Sequence, residues 1–522
     1  MNRRYFLRTA AVAASVAVLA PKRVGAARFV TPATATPGII EVGNTRQVFL
    51  DDILIHEASL IGRFMKRPQK YEKNPVLTGE MPWEQRIDGQ ELDNSVLIAG
   101  QSVLYDKEEN VFKLWYMAAG QDEKWSSGST SLCYATSKDG YHWNRPALGL
   151  IDYKGSTQNN IVMVFRDPQY FNVVKDSQDK DPQRRYKAMG ELEGTVANHT
   201  GGVAVAFSPD GLRWTEYDKN PVVKHGRNLG DAPSMLGWDP RRHKYVGYFR
   251  PGHSLAPEIY GKGDHRHIRG IGYAESDDFV HWTPTVPMLT PDDQDRPDTQ
   301  FVQFTSGIDG EFYIGFNAIY QTHEQTWDIY LMSSRDGFHW NWIDRRVPFL
   351  GRGEVGTYDA GYMCPNGPIF HDGKVWIFYR SVSGAHSVNV SNVLGRSRTA
   401  IALCTLPQNR WMGLLAGPNR GTIVTRPLVF KGNKLIVDLD ASLPLSKPHV
   451  PPRFDECEIR AAIEDQSGGR IDGFTIEDSS VLTKSGPQEL SWKGANIGSL
   501  AGRPVRLRIE MRNAVLFSIQ FA

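Results

Sequence analysis

The chain has 522 residues, about three times the usual domain length of ~150, so a large core and a second domain both fit. Hydrophobic residues at 40% and charged residues at 23% exclude a disordered chain, and a formal charge of +2 is too small for a nucleic-acid footprint. Four cysteines (Cys133, Cys364, Cys404, Cys457) show no CxxC spacing, which argues against a metal cluster and a disulfide framework.

The first residues read as an address. Arg3 and Arg4 precede Phe6-Leu7, and an apolar run follows from Thr9 to Ala20. The run is short and rich in small residues, as a signal h-region is, and the paired arginines resemble a twin-arginine export signal. Val24-Gly25-Ala26 offers a cleavage site; an uncleaved anchor is the alternative. Removing residues 1–26 takes away five basic residues and no acid, which moves the formal charge from +2 to −3. No later stretch is apolar enough to cross a bilayer as a helix. The expectation is an exported protein, periplasmic or extracellular, with no membrane partner once the signal is gone.

From there the chain repeats. Ser-x-Asp-Gly-x-x-Trp occurs at Ser137–Trp143, Ser208–Trp214 and Ser334–Trp340; Ser276–Trp282 has Phe279 in the Gly place, and Thr405–Trp411 keeps only the hydroxyl and the Trp. Successive spacings are 71, 68, 58 and 71 residues. Asp-Gly makes a tight turn because Gly accepts positive φ, and the Trp then packs between neighbouring sheets. Upstream of each copy lies an aromatic-rich strand: Phe112–Met117, Tyr186–Met189, Tyr245–Arg250, Phe312–Asn317, Val375–Arg380. Further upstream comes a strand opener: Asp93, Asn160, Asp231, Asp298, Asp359. Each unit thus holds four strands, and five such units around an axis make a five-bladed β-propeller.

Asn74-Pro75-Val76-Leu77 resembles Asn220-Pro221-Val222-Val223, the run after the second repeat Trp. The N-terminal segment is therefore expected to supply the outer strand of blade five, with a separate N-terminal hairpin as the alternative. After Trp411 the repeat stops. Residues 420–522 show short alternating strands, the last being Val505–Met511 and Val515–Phe521, and predict a C-terminal β-sandwich. The expected organisation of this all-β chain is signal 1–26, propeller 45–419 and sandwich 420–522.

In a propeller the first strands line the axis in one direction, so their openers meet at one mouth. Asp is a poor strand residue, and four of five openers are Asp. Second strands return to the same mouth and bring Arg250, Asn317 and Arg380, with loops carrying His253, His265, His267, His323 and His386. Trp83, Tyr358 and Trp327 fall there too. Acids, cations and aromatic faces around one funnel suit a polyhydroxylated ligand. Paired carboxylates are what glycosidic cleavage needs, one as proton donor and one as base or nucleophile.

These residues resemble the five-bladed propeller glycoside hydrolases of the fructosidase/invertase and arabinanase/xylosidase type. The resemblance is carried by the Ser137–Trp143 repeat and its sisters, by Asp93, Asp231 and Asp298, and by the trailing sandwich; Val48-Phe49-Leu50-Asp51-Asp52 and Ser491-Trp492-Lys493-Gly494 look like an exported branch of that superfamily. It implies Asp93 as nucleophile or base and Asp231 as transition-state stabiliser. The family's donor is usually a Glu; here the matching opener is Asp298, with Glu354 and Asp359 as rivals. Arg166-Asp167-Pro168 spells a fructosidase signature but falls where a turn is expected.

The expected function is an exported glycoside hydrolase, with Arg250, Arg380, His253, His323, His386, Asn160, Trp83 and Tyr358 holding a carbohydrate substrate whose charge the cations suggest is anionic. No cofactor or catalytic metal is expected, apart from a structural ion at the axis as an option. A glycoside phosphorylase and a non-catalytic carbohydrate-binding propeller are the alternatives.

Overall fold

The structure, a computed structural model, describes residues 38–84, 96–98, 100–118, 129–166, 168–192, 201–224, 232–251, 268–386, 398–441 and 457–522. Strands dominate; the helical elements among the described residues are short 3-10 turns at Pro82–Glu84, Pro182–Arg184 and Ile497–Leu500.

Five groups of antiparallel strands, sheets one to five, follow one another along the chain; the last two are joined into one sheet by a single parallel pair, Trp327 to Tyr362. Sheet one runs from Val96–Leu97 and Val103–Asp106 through Val111–Ala118 and Ser129–Ser137 to Ile161–Arg166. Sheet two holds Pro168–Lys175, Tyr186–Leu192, Gly202–Ser208, and the short outer pieces Thr215–Glu216 and Val223–Lys224. Sheet three holds Ser234–Asp239, Lys244–Phe249, Ile271–Ser276 and Val286–Leu289; sheet four holds Thr299–Asp309, Phe312–Gln321, Thr326–Ser334 and Asn341–Trp342. Sheet five holds Tyr362–Pro365 with Ile369–His371, then Lys374–Val382 and Thr399–Pro407, and is completed by Gln69–Lys70 and Leu77–Thr78.

Apolar side chains fill every gap between neighbours. Trp115 and Met117 meet Val173 and Tyr186 between sheets one and two. Met189 and Val205 meet Met235 and Tyr245 between two and three. Tyr248 packs on Phe301 and Phe304 between three and four, and Ile314 and Phe316 on Ile377 and Tyr379 between four and five. Phe112 and Leu114 meet Phe378 and Leu403 between five and one, which closes the ring. This is a β-propeller. Truncating one such buried aromatic typically costs ~3–5 kcal/mol, so the gaps are the main store of stability.

The first strands are stitched together at the axis. Gln101 N donates to Asn172 Oδ1 (2.7 Å), Asn172 Nδ2 to Pro233 O (2.8 Å), and Ser234 Oγ to Phe304 O. Ser102 N donates to Asn366 Oδ1 (2.6 Å), and Gln101 Nε2 reaches Ser306 O (3.0 Å). A Cβ at Gly367 would run into the Gln101 amide, so a larger residue there would displace the Gln101 side chain from Ser306.

A second set of bonds ties the outer face. The aspartate ending a first strand accepts from an aromatic residue of a later sheet: Tyr186 to Asp106 (3.3 Å), Tyr245 to Asp176 (2.6 Å), Tyr313 to Asp239 (2.7 Å), and Trp411 to Asp309 (2.7 Å). The repeated turns are built as expected. Ser208 Oγ accepts from Gly211 N (2.8 Å), and Asp210 Oδ1 from Leu212 N and Arg213 N. The fourth position has φ of +77°, +79° and +75° at Gly140, Gly211 and Gly337, and Phe279 holds +72° in its copy.

Three expectations are corrected. Ile161–Arg166 was expected to open unit two; it pairs antiparallel with Ser129–Ser137 as the outer strand of sheet one, and Pro168–Lys175 is the first strand of sheet two. Asn317 does not end its strand, which runs on to Gln321. The division at 45 and 420 cuts across strand pairing. Ile55–Ser59 and Ile61–Met65 pair with Gly421–Thr425 and Met412–Ala416, so the early strands and the last repeat's tail lie in the C-terminal sheets. Those two sheets form the β-sandwich, closed over one apolar core including Val42, Leu414, Leu435, Ile509 and Phe521. The expected outer strand from the N-terminus is present: Asn74 exchanges both amide bonds with Leu403 of sheet five, as Asn220 does with Val205 of sheet two.

Candidate functional site

First strands begin, and second strands end, on one face of the ring. The register shows it: Val96 faces Ala118, Pro168 faces Leu192, Ser234 faces Tyr248, Thr299 faces Gln321, and Tyr362 faces Val382. Asp93, Asp231 and His253, like His265 and His267, lie outside the described residues.

On that face, sheets three, four and five bring one cluster together around His386. Its ring centroid lies 5.0 Å from Trp327, 5.1 Å from Tyr320 and 5.5 Å from Tyr362. Trp327 and Tyr362 are 4.7 Å apart. Arg269 lies 6.0 Å from the Tyr320 centroid, and Arg380 lies 5.2 Å from the Tyr362 centroid while donating Nη2 to the Tyr362 hydroxyl (3.0 Å). Trp327, Tyr320 and Tyr362 are buried; His386 keeps solvent access as a residue while its imidazole ring lies against this aromatic floor, which takes water from the ring.

Local backbone explains the placement. Thr326–Ser334 starts after a tight turn in which Gln325 takes a left-handed φ of +59°, and the Gln325 carbonyl accepts from His386 N (2.9 Å). Phe301 N donates to Arg269 O (3.0 Å), which ties the entry of sheet three's third strand to sheet four. Desolvation, and then the charges of Arg269, Arg380 and Arg250, push the His386 pKa down to about 4. At neutral pH this imidazole is uncharged.

Asp298 sits at the rim of the same face. Arg296 donates to both of its oxygens (3.1 and 3.3 Å), and His323 N donates to Oδ2 (3.0 Å). His323 itself is exposed and contributes that backbone bond. A carboxylate that sequence reasoning missed is Glu191, buried near the end of sheet two's second strand. It accepts from Ala232 N at 3.3 Å, and Ala232 holds a left-handed φ of +52°.

The other expected residues are placed elsewhere. Asp359 is buried and accepts from Lys70 Nζ (2.6 Å) and Tyr379 OH (3.2 Å). Tyr358 bonds Asn74 and Tyr379 beside it. Glu354 is an exposed turn residue whose carbonyl accepts from Thr357 N. Trp83 Nε1 donates to Asn160 Oδ1 (2.9 Å), and Asn160 Nδ2 donates to Tyr116 OH (2.7 Å), so these two are engaged on sheet one's outer strand. Arg269, Tyr320 and Tyr362 were missed. The available signal was their offset from strand ends, the same rule that found Arg250, Arg380 and Trp327. Among the described residues, no group of three or more His, Cys, Asp or Glu side chains comes together as a metal centre.

No protein-family profile matches this chain, and no curated protein matches it. Solved structures do. One is an N-acetylgalactosamine deacetylase from F. plautii in complex with blood group B trisaccharide (13% identity, 64% of this chain, 96% of that one, TM-score 0.43). A second is a glycosyl hydrolase from Bacteroides ovatus (15%, 65% and 93%, TM-score 0.40), and a third a glycoside hydrolase (16%, 65% and 92%, TM-score 0.43). At these scores none of them bears on what the present chain does.

Proposed function

We propose that the five sheets are the five blades of one propeller and that this chain is an exported glycoside hydrolase working at the propeller mouth. One observation carries the reading: three sheets distant in sequence converge on His386 with two aromatic hydroxyls, an indole and three guanidinium groups. Aromatic floors edged by hydrogen-bonding groups suit sugars, whose rings offer both C–H faces and hydroxyls. Export rests on residues 1–26.

For the chemistry, Asp93 is assigned as base or nucleophile and Asp231 as stabiliser, the roles that the family resemblance implies. Asp298 is assigned as donor because it is the opener in the donor's place, and its pair with Arg296 has to open before it can carry a proton. Glu191 joins them as a buried carboxylate of the same face. Asp359 and Glu354, the rivals on sequence grounds, are held by Lys70 and by a surface turn. Hydrolysis needs two carboxyl groups, so removing one as an amide should cost ~10²–10⁴ in rate.

The test is a hydrolysis screen over a broad polysaccharide panel, read by mass spectrometry. Asp231→Asn and Asp298→Asn are then assayed on the best substrate found. Full activity in both variants would overturn the assignment. Turnover that requires inorganic phosphate would replace hydrolysis by phosphorolysis on the same fold, and binding without turnover would leave a carbohydrate-binding propeller.

A further inference from the structure

The cluster around His386 consists mostly of hydrogen-bond donors. The guanidinium groups of Arg269 and Arg380 donate only, and so does an indole. The Trp327 indole N–H is buried, with the residue 3% exposed, and has no acceptor among the described residues. Buried polar groups in native structures are nearly always partnered, by protein, water or ligand. The Tyr362 hydroxyl already accepts from Arg380 and so has its own proton to donate. Gln303 and Asn317, on the first two strands of sheet four, are buried amides whose donor and acceptor atoms both lack a partner among the described residues, so they favour neither kind of ligand atom. A ligand that meets the guanidinium groups and the indole has to bring acceptors.

Guanidinium groups select oxyanions, because their fork matches two oxygens at once. Arg269, 6.0 Å from the Tyr320 centroid, comes from sheet three and Arg380, 5.2 Å from the Tyr362 centroid, from sheet five, with Arg250 near enough for its charge to act on His386, so no single helix end or turn produces the arrangement. The aromatic floor beneath His386 adds apolar surface next to the donors. A free ion has no use for that surface, and a sugar ring carrying a charged group uses both.

We propose that the mouth binds an oxyanion borne by the glycan, the carboxylate of an acidic, uronate-type sugar unit, among Arg250, Arg269, Arg380 and the Trp327 indole. The assignment rests on the reading of the mouth as a carbohydrate site and names the substrate class of that site. Inorganic phosphate offers the same oxygen chemistry and is the competing source.

The probes are oligogalacturonate and oligoglucuronate, the same oligosaccharides after reduction of their carboxyl groups to neutral alcohols, and inorganic phosphate. Affinity for the full chain is read by titration calorimetry, for the wild type and for Arg380→Gln, Arg269→Gln and Trp327→Phe. One acidic oligosaccharide is expected to bind at least tenfold more tightly than its reduced form, and Arg380→Gln to bring the two within about twofold. Trp327→Phe removes the N–H together with part of a buried ring, so its thermal midpoint should fall as well; it should weaken the acidic ligand about fivefold more than it weakens the reduced form, a difference that a purely structural loss would not produce. Equal affinity for acidic and reduced oligosaccharides overturns the proposal while leaving the glycosidase reading intact. Binding of phosphate alone, competed by neither oligosaccharide, overturns it too. Failure of every oligosaccharide to bind, with no turnover in the polysaccharide screen, would remove the carbohydrate reading itself.

Discussion

Lys70 donates to Asp359 at 2.6 Å although 289 positions separate them, and this pair fastens the N-terminal strand to the loop that opens sheet five. Asp359 is 1% exposed, so its charge has lost water and depends on Lys70, Tyr379 and Thr357 for compensation. Removing one member of a buried pair leaves the other uncompensated, at ~3–5 kcal/mol; Lys70 keeps some solvent, which favours the low end. Asp359→Asn should therefore lower the denaturant midpoint by the equivalent of ~3 kcal/mol and leave turnover per folded molecule near wild type. Loss of turnover with no loss of stability would return Asp359 to the catalytic candidates.

The aspartates at the ends of the first strands make a related prediction. Asp239 is fully buried, and Tyr313 of the next sheet donates to it at 2.7 Å; Asp176 and Tyr245 repeat the arrangement one gap earlier. Hydrogen bonds to charged groups contribute ~1.5–3 kcal/mol. Tyr313→Phe and Tyr245→Phe should each cost about that much, measured by denaturant unfolding. The two sites lie in different gaps and share no partner, so the double variant should show the sum within ~0.5 kcal/mol. Neutral single variants would mean that the gaps are held by packing alone.

Much of this ring is legible in the sequence because its turns repeat. The hydroxyl, Asp and Gly of Ser208–Gly211 each do a local job in the turn, so a copy of the pattern marks a turn of the same kind. Ring closure is legible for the same reason, since Asn74 does for Leu403 what Asn220 does for Val205. Ile161–Arg166 misleads because an apolar strand after a turn reads alike whether it ends one sheet or begins the next, and hydrogen bonding to Ser129–Ser137 decides the matter. The sandwich's use of Ile55–Met65 is a pairing between chain ends, which no local pattern encodes. At the site, residues at strand ends could be found by offset. The engagement of Asp359 by Lys70, and of Trp83 by Asn160, depends on neighbours far away in sequence.

Gly211 tests the turn directly. Its φ is +79°, and a Cβ there would lie 2.7 Å from the Trp115 ring. Left-handed backbone costs an ordinary residue ~1–2 kcal/mol before any clash is counted. Gly211→Ala should therefore destabilise by at least ~1 kcal/mol, seen as a lower thermal midpoint. Phe279 accepts the same conformation because its ring is fully buried between sheets two and three. Phe279→Gly should accordingly lose stability, since the packing it gives up (~3–5 kcal/mol for a buried Phe) exceeds the backbone strain it relieves. A Gly211→Ala variant as stable as wild type would show that the turn tolerates an ordinary residue.

His386 supplies the pH prediction. Its folded pKa is about 4, lowered by desolvation first and then by Arg269, Arg380 and Arg250. An unfolded histidine titrates near ~6.5. As pH falls below ~6.5, the unfolded chain takes up a proton that the folded site refuses, so the unfolded state gains. The contribution of His386 to stability is whole above ~6.5 and is lost progressively down to about 4. Denaturant midpoints should fall between pH 7 and pH 5, and His386→Asn should flatten that part of the profile. Arg380→Gln removes one of the three charges and should raise the imidazole pKa, read by NMR titration of the ring protons. A carboxylate placed among the arginines should raise it further, because a nearby negative charge favours the imidazolium. An oligouronide that binds at this spot should therefore be accompanied by proton uptake near pH 5, measurable as a buffer-dependent heat. Binding with no such uptake, and with the His386 titration unmoved, would place the acidic unit away from this cluster.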